Sequence, residues 1–253
     1  MRSSRLWKAI AVVLRYTALI VLTAAMMLPV VWAVISSLKT LDEVYVFPPS
    51  FRLSAPQWSN YAEAFTRLPI ARFLANSLLI SSVSVVGAVL TASMAGYALA
   101  RCRFRGRSLC FMLVIASMLV PAHILLVPRF LLYDWLGWVN TYKPLIVPAW
   151  LGGGAFNIFL FRQFFRTIPL ELEDAARLDG ATMWQRYWLV LMPIVRPATV
   201  TAAMLSFVYH WQDFLTPLIY LSDFTTYPIS LGLRMYQSMA GTWANRLLAI
   251  SCG

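Results

Sequence analysis

Five stretches of this chain are long and apolar enough to cross a lipid bilayer: residues 16–35, 73–100, 109–128, 144–161 and 198–221. A helix crosses the hydrocarbon with about 20 residues. Inside lipid every backbone N–H and C=O must find a partner within the protein, so only helices and closed barrels span it. Barrel strands alternate in character over about ten residues. These stretches are apolar all round, so they are read as helices. Hydrophobic residues make up 60% of the chain and charged residues 12%, against about 25% charged in soluble domains. The expectation is an all-α integral membrane protein with a single multi-pass domain over residues 1–253.

The formal net charge is +11, a value that would suggest nucleic acid in a soluble protein. The distribution argues against it. Arg2, Arg5, Lys8 and Arg15 precede the first stretch. Arg101, Arg103, Arg105 and Arg107 follow the second, and Arg162, Arg166, Arg177, Arg186 and Arg196 lie between the fourth and fifth. Basic residues on alternate loops place those loops and the N-terminus in the cytoplasm. No nucleic-acid partner is needed to explain the charge.

Three cysteines, Cys102, Cys110 and Cys252, suggest neither a disulfide framework nor a metal site. The basic start and long apolar core at the N-terminus fit an uncleaved first span better than a signal peptide. A sixth span begins near residue 243 and stops at Gly253. About eleven residues cover some 16 Å as helix, half the hydrocarbon thickness. The expectation is a sixth helix cut short.

No G-x-x-x-x-G-K-[ST] loop occurs, and Lys8, Lys39 and Lys143 follow nothing like one. The chain therefore has no P-loop for ATP. H-E-x-x-H and G-x-S-x-G are also missing, and His123 and His210 fall on different spans. No catalytic residue, metal site or bound cofactor is assigned. If ATP drives this protein, a partner hydrolyses it.

Between the spans, Lys39, Asp42 and Glu43 mark the exit of the first helix. The segment that follows, with Phe47, Pro48, Pro49, Trp58 and Tyr61, suits the membrane surface. Gly87, Ser93, Ala95 and Gly96 in the second span permit close helix packing. Gly152, Gly153 and Gly154 weaken the fourth span and mark a kink.

Residues 169–193 are the exception to the apolar pattern, with Glu171, Glu173, Asp174 and Asp179 among them. Pro169 suits the first turn of a helix, and the acids after it complement the helix dipole. Glu173 and Arg177 stand four apart in the favourable order. Gly180 is the natural stop. Thr182 and Gln185 then form a capping box, opening a second helix that runs on to Pro193 and the fifth span.

The fifth span carries unusual polar content. Ser206, His210, Asp213 and Pro217 follow a spacing of three and four and share one helical face. Tyr209, Gln212 and Thr216 lie beside it. Polar residues at such depth line a pathway or hydrogen-bond between helices. Both readings stand, and Ser206, Tyr209, His210, Gln212 and Asp213 are the candidates for a substrate pathway.

The polar stretch between the fourth and fifth spans resembles the cytoplasmic "EAA" loop of ABC-importer permeases, which reads E-A-A, three residues, G, nine residues, I-x-L-P. Asp174, Ala175 and Ala176 are followed by Gly180 and then by Val190, Leu191, Met192 and Pro193 at the same spacing. Asp174, Val190 and Met192 depart from the pattern while keeping its charge or apolar character. The wider chain resembles the carbohydrate-uptake branch, the maltose-type and glycerol-phosphate-type permeases. The supporting pieces include Asn60 with Tyr61, Asn76 with Ser77, residues 97–101 with Phe104 and Gly106, Asn140 with Thr141, residues 177–181, and Trp211, Gln212, Asp213 and Phe214.

That resemblance implies a six-helix type I permease bundle in the plasma membrane of a bacterium or archaeon. It implies a second permease subunit, an ABC ATPase dimer holding ATP and Mg, an extracytoplasmic solute-binding protein, and a sugar, polyol or oligosaccharide as substrate. The loop over residues 163–196 would dock on the ATPase through Glu171, Glu173, Asp174, Ala175, Ala176, Arg177, Leu178, Asp179, Gly180 and Ala181. Small Ala175 and Ala176 would let the helix enter a groove, and the helix after Gly180, continuous with the fifth span, would act as a stiff lever. Closure of the ATPase dimer would thus drive alternating access. The rivals are a structural or transport-incompetent membrane subunit, suggested by the short sixth helix, and a secondary transporter, which has no use for such a loop.

Overall fold

A computed structural model describes residues 2–67 and 69–239. The sixth span expected from residue 243, together with Cys252, lies outside the described residues. Among the described residues all regular structure is helical. Twelve helices position the regions of interest. They are α1 (Arg2–Ser37), α2 (Ser59–Arg67), α3 (Ile70–Arg101), α4 (Arg107–Met118), α5 (Leu126–Trp135), α6 (Lys143–Trp150), α7 (Ala155–Thr167), α8 (Leu170–Leu178), α9 (Met183–Ile194), α10 (Arg196–Gln212), α11 (Leu215–Tyr220) and α12 (Ile229–Met239).

Three segments are long and apolar enough to cross a membrane unaided: Ile10–Ser37, Ile70–Arg101 and Lys143–Thr167. Two bent pairs qualify when each is taken as one span, α4 with Ala122–Trp135 at 93° and α9 with α10 at 78°. The bends have covalent causes. Pro121 cannot donate a helical hydrogen bond and turns extended, with φ −62° and ψ 126°, so the expected third span breaks after Met118. The fourth is interrupted between α6 and α7, where Gly152, Gly153 and Gly154 all take positive φ, yet Lys143–Thr167 remains one span.

The fifth span departs furthest from expectation. Its helix stops at Gln212, and Asp213 is extended at ψ 118°. Pro217 lacks the N–H that would have bonded the Asp213 carbonyl. That carbonyl accepts the Ser230 hydroxyl at 2.7 Å, while the Asp213 carboxylate accepts the Thr216 N–H at 3.1 Å. The expected single face through Ser206, His210, Asp213 and Pro217 is therefore split between two helices.

Ala71–Gly232 forms one compact unit, and a second is built on Met1–Ile70. In the larger unit, α3 is the axis. Its small residues allow α6 and α7 to approach it. A β-carbon on Gly96 would sit 2.6 Å from the Phe161 Cβ and 2.9 Å from the Arg162 backbone nitrogen, and one on Gly87 would meet the Trp150 ring. A close-packed interior leaves no slack for either. Below this contact lies the core: Ala92, Tyr97, Phe161, Phe165, Tyr187 and Leu191 pack with Ala198 and Ala202 of α10. In the smaller unit, Asn60 donates to the Ser37 and Lys39 carbonyls at 2.9 and 3.1 Å, Tyr61 shares a hydrogen bond with the Ser37 hydroxyl at 2.8 Å, and the buried Lys39 ammonium donates to the Ser50 carbonyl. The segment after α1 is thus tied back to the helix end.

Candidate functional site

The polar stretch folds as two helices around a glycine turn. Pro169 precedes α8 directly and so meets no helical acceptor. At the other end Gly180 takes φ +81°. The Gly180 N–H donates to the Arg177 carbonyl at 3.0 Å and the Ala181 N–H to the Ala176 carbonyl at 2.9 Å. This is the paired closure of a left-handed C-cap. A β-carbon on Gly180 would meet nothing within 4 Å, so only the backbone angle selects glycine there. Thr182 and Gln185 then complete the expected capping box, at 2.8 and 3.3 Å.

The two faces of α8 are chemically different. Glu171, Leu172, Asp174, Ala175, Arg177 and Leu178 are exposed, as are Asp179 and Gly180, while Ala176 and Ala181 are half-buried. Leu178 is 89% exposed at the tip. Glu173 is turned inward and buried. Its Oε1 accepts the Tyr97 hydroxyl at 3.2 Å, and its Oε2 lies 3.8 Å from Arg101 Nε. This corrects the expected Glu173–Arg177 pair. Arg177 instead meets Asp174 at 3.8 Å in solvent, where such a pair contributes little. Glu173 thus fastens the helix from behind and is not part of the outward surface.

Arg101 does more than pair with Glu173. Its Nη2 donates to the Phe165 carbonyl at 2.5 Å and to the Ile168 carbonyl. These are carbonyls at the end of α7, which would otherwise lack helical partners. One turn earlier on α3 comes Tyr97, and one turn before that Ser93, whose hydroxyl shares a 2.7 Å hydrogen bond with Tyr187 of α9. Beside them, burial and then the Glu173 carboxylate push the Cys102 thiol up from its usual range, which disfavours the thiolate. Sequence reasoning named neither Tyr97 nor Arg101 as a site residue. The available signal was polar heads at residues 93, 97 and 101, four apart on one helical face.

The helix after the turn is not a straight lever. Residues 186–191 wind into a π turn, with the Met192 N–H reaching the Tyr187 carbonyl. After Val195 the chain bends by 78° into α10. Pro193 and Pro197 each remove a helical donor around this bend. The expected continuity with the fifth span is therefore corrected to a sharp corner.

The candidate pathway residues do not converge. Ser206 is buried and accepts the Asn157 side-chain amide at 3.0 Å, and that amide also donates to the Gly153 carbonyl at 2.7 Å. Tyr209 is exposed, its ring 5.2 Å from His210. Gln212 is exposed at the helix end. Asp213 is engaged in the turn to α11. No group of three or more His, Cys, Asp or Glu suited to a metal occurs among the described residues.

Comparison with known proteins matches this architecture. The family model described as "binding-protein-dependent transport system inner membrane component" matches residues 87–252. The chain is 34% identical over 224 residues to the sulfoquinovosyl glycerol transport system permease protein SmoH of Agrobacterium fabrum, covering 88% of this chain and 79% of that one. It is 40% identical over 176 residues to the arabinooligosaccharides transport system permease protein AraQ of Halalkalibacterium halodurans, covering 68% and 62%. A crystal structure of a bacterial ABC transporter involved in import of the acidic polysaccharide alginate has a chain of the same fold, with a TM-score of 0.81 and 23% identity over 100% of this chain and 92% of that one. With its helical spans, its glycine-turned polar loop and these matches, the chain belongs to the family of binding-protein-dependent transport system inner membrane components.

Proposed function

We propose that this chain is a membrane-spanning permease subunit of an ABC importer for a sugar, polyol or oligosaccharide, and that the outward face of α8 docks on the ATPase. The relatives support the substrate class, because SmoH is a sulfoquinovosyl glycerol transport system permease protein and AraQ an arabinooligosaccharides transport system permease protein. The permease works with a second permease subunit, an ATPase dimer carrying ATP and Mg, and an extracytoplasmic solute-binding protein. It performs no covalent chemistry itself. The membrane is the plasma membrane, with the N-terminus and the polar loop on the cytoplasmic side, as the arginine distribution favours.

The observation that carries this reading is the surface of α8. Its exposed side has a small residue, Ala175, between acids and beside the protruding Leu178. A surface connector has no need of that pattern, while a groove-binding helix has. Docking of α8 ties it to the ATPase, and closure of the dimer carries α8 with it. The permease pair then alternates between inward and outward openings.

Ala175→Trp tests this in the assembled complex. The new ring points outward, so the permease keeps its own fold. Docking weakens by about 2 kcal/mol or more, the scale of an interface hot spot, and the ATPase is lost on co-purification together with uptake. Retention of both would overturn the assignment.

A further inference from the structure

The bend after Val195 raises the question of how motion of α8 reaches the membrane helices. We propose that Arg101 is the positioning residue that hands this motion to α3, through one polar face of that helix. The inference rests on the reading of α8 as the docking helix.

Three residues form the face: Ser93, Tyr97 and Arg101, one turn apart. Each holds a different part of the polar loop. Ser93 meets Tyr187 of α9 at 2.7 Å, Tyr97 meets Glu173 of α8 at 3.2 Å, and Arg101 meets both Glu173 and the carbonyls of Phe165 and Ile168. The Arg101 and Glu173 side chains are only 5% and 9% exposed, so their attraction is screened far less than that of a surface pair. Arginine suits the position because its planar fork serves several acceptors at once, which a lysine ammonium does not do in the same geometry. The aromatic rings of Tyr97, Phe165 and Tyr187 fill the space around these bonds, at centroid distances of 5.2 to 6.3 Å. The end of α7, Glu173 in the middle of α8 and Tyr187 of α9 are thus held by the same helix. On the other side, α9 meets α10 around the 78° corner with its two prolines and through apolar packing, Tyr187 and Leu191 sharing one buried cluster with Ala198 and Ala202. A load applied to α8 passes into α3 through directional polar bonds, while it reaches α10 through the bent corner and apolar contacts, which hold no fixed register.

The test measures distances in the complete complex, with permease pair and ATPase, after replacement of the native cysteines. One spin label is placed at Leu170→Cys and a second at Leu79→Cys on α3 or at Val208→Cys on α10. Distances are read without nucleotide and after trapping with MgATP and vanadate. The Leu170–Leu79 separation is expected to stay within about 2 Å, the range of packed-helix adjustment, while the Leu170–Val208 separation shifts further. In Arg101→Lys and Glu173→Gln the Leu170–Leu79 distribution broadens or shifts on trapping. Measuring assembled complexes removes any effect of lower yield, and Glu173→Gln keeps the acceptor for Tyr97 if Arg101→Lys fails to fold. Two results overturn the proposal: a Leu170–Leu79 shift as large as the Leu170–Val208 shift in the unmodified pair, or variants indistinguishable from it. If Ala175→Trp retains the ATPase, the docking reading falls and this proposal with it. If Ala175→Trp releases the ATPase while the distances fail, only the Arg101 proposal falls.

Discussion

Two of the polar stretches in this apolar chain, residues 170–181 and residues 206–213, treat their polar groups differently. In the second, the structure uses up the buried or turn-forming ones, while Tyr209 and Gln212 stay exposed. Ser206 answers Asn157, and Asp213 holds the turn into α11 with both its carboxylate and its carbonyl. In the first, one acid is spent inside and the rest are left outside. Glu173 is consumed by Tyr97 and Arg101, while Glu171, Asp174 and Asp179 remain exposed around Ala175 and Leu178. A buried polar group is costly unless it is paired, so pairing inside the fold is the ordinary fate of polar residues in a membrane protein. On the proposed docking reading, the exposed acids beside Ala175 and Leu178, on a short helix closed at Gly180, form a surface for something outside the chain. Polarity by itself therefore does not distinguish structure from function here. What distinguishes them is whether the chain supplies the partner.

The comparison is broken most severely by removing the partner of Arg101. Glu173→Ala leaves a buried guanidinium short of its countercharge, and stability falls by about 3 kcal/mol, at the lower end for a broken buried pair because two carbonyls still hold Arg101. Chemical denaturation in detergent measures it. The milder Glu173→Gln has a local reporter. Removing the carboxylate charge lets the Cys102 thiol fall back toward its usual range. Thiolate is then present at a lower pH, and Cys102 alkylates faster at neutral pH than in the unmodified protein. An unchanged rate would show that the charge does not act at Cys102.

A smaller effect is expected at Ser206. Ser206→Ala removes one buried hydrogen bond and costs about 1 kcal/mol, with the KM for substrate uptake unchanged. A tenfold rise in KM at unchanged stability would return Ser206 to the substrate pathway. Smallest is Asp174→Asn, judged on the permease alone. Its pair with Arg177 is solvent-exposed at 64% and 66%, and the loss stays below about 0.5 kcal/mol. Any larger effect of Asp174→Asn then belongs to the assembled complex.

The sequence made the helical class legible, because apolar stretches of 18 to 28 residues in lipid have one economical conformation. It also made the polar loop legible at its caps, since Gly180, Thr182 and Gln185 act through their own and neighbouring backbone. The direction of Glu173 was not legible. Acids at residues 171, 173 and 174 fall on both sides of a helix, and the side that is buried depends on Tyr97 and Arg101, far earlier in the chain. The break at Asp213 had a visible cause in Pro217, but apolar periodicity around it suggested a continuous span. The corner after Val195 likewise had its prolines in view, but a proline in the first turn of a helix needs no bend, so Pro193 and Pro197 alone did not fix one. Asn60 and Tyr61 were visible as a pair with no stated role. The structure gives them one, closing the end of α1.

The central claim is that the exposed face of α8 touches the ATPase while Glu173 faces the permease interior. Site-specific photo-crosslinking in membranes containing the whole importer tests it most directly, with a benzoylphenylalanine in place of Leu178 in one variant and in place of Trp184, beyond the turn, in a second. The account predicts a covalent adduct with the ATPase from position 178 that exceeds the one from position 184. Equal yields from the two positions, or no ATPase adduct from position 178, would contradict it.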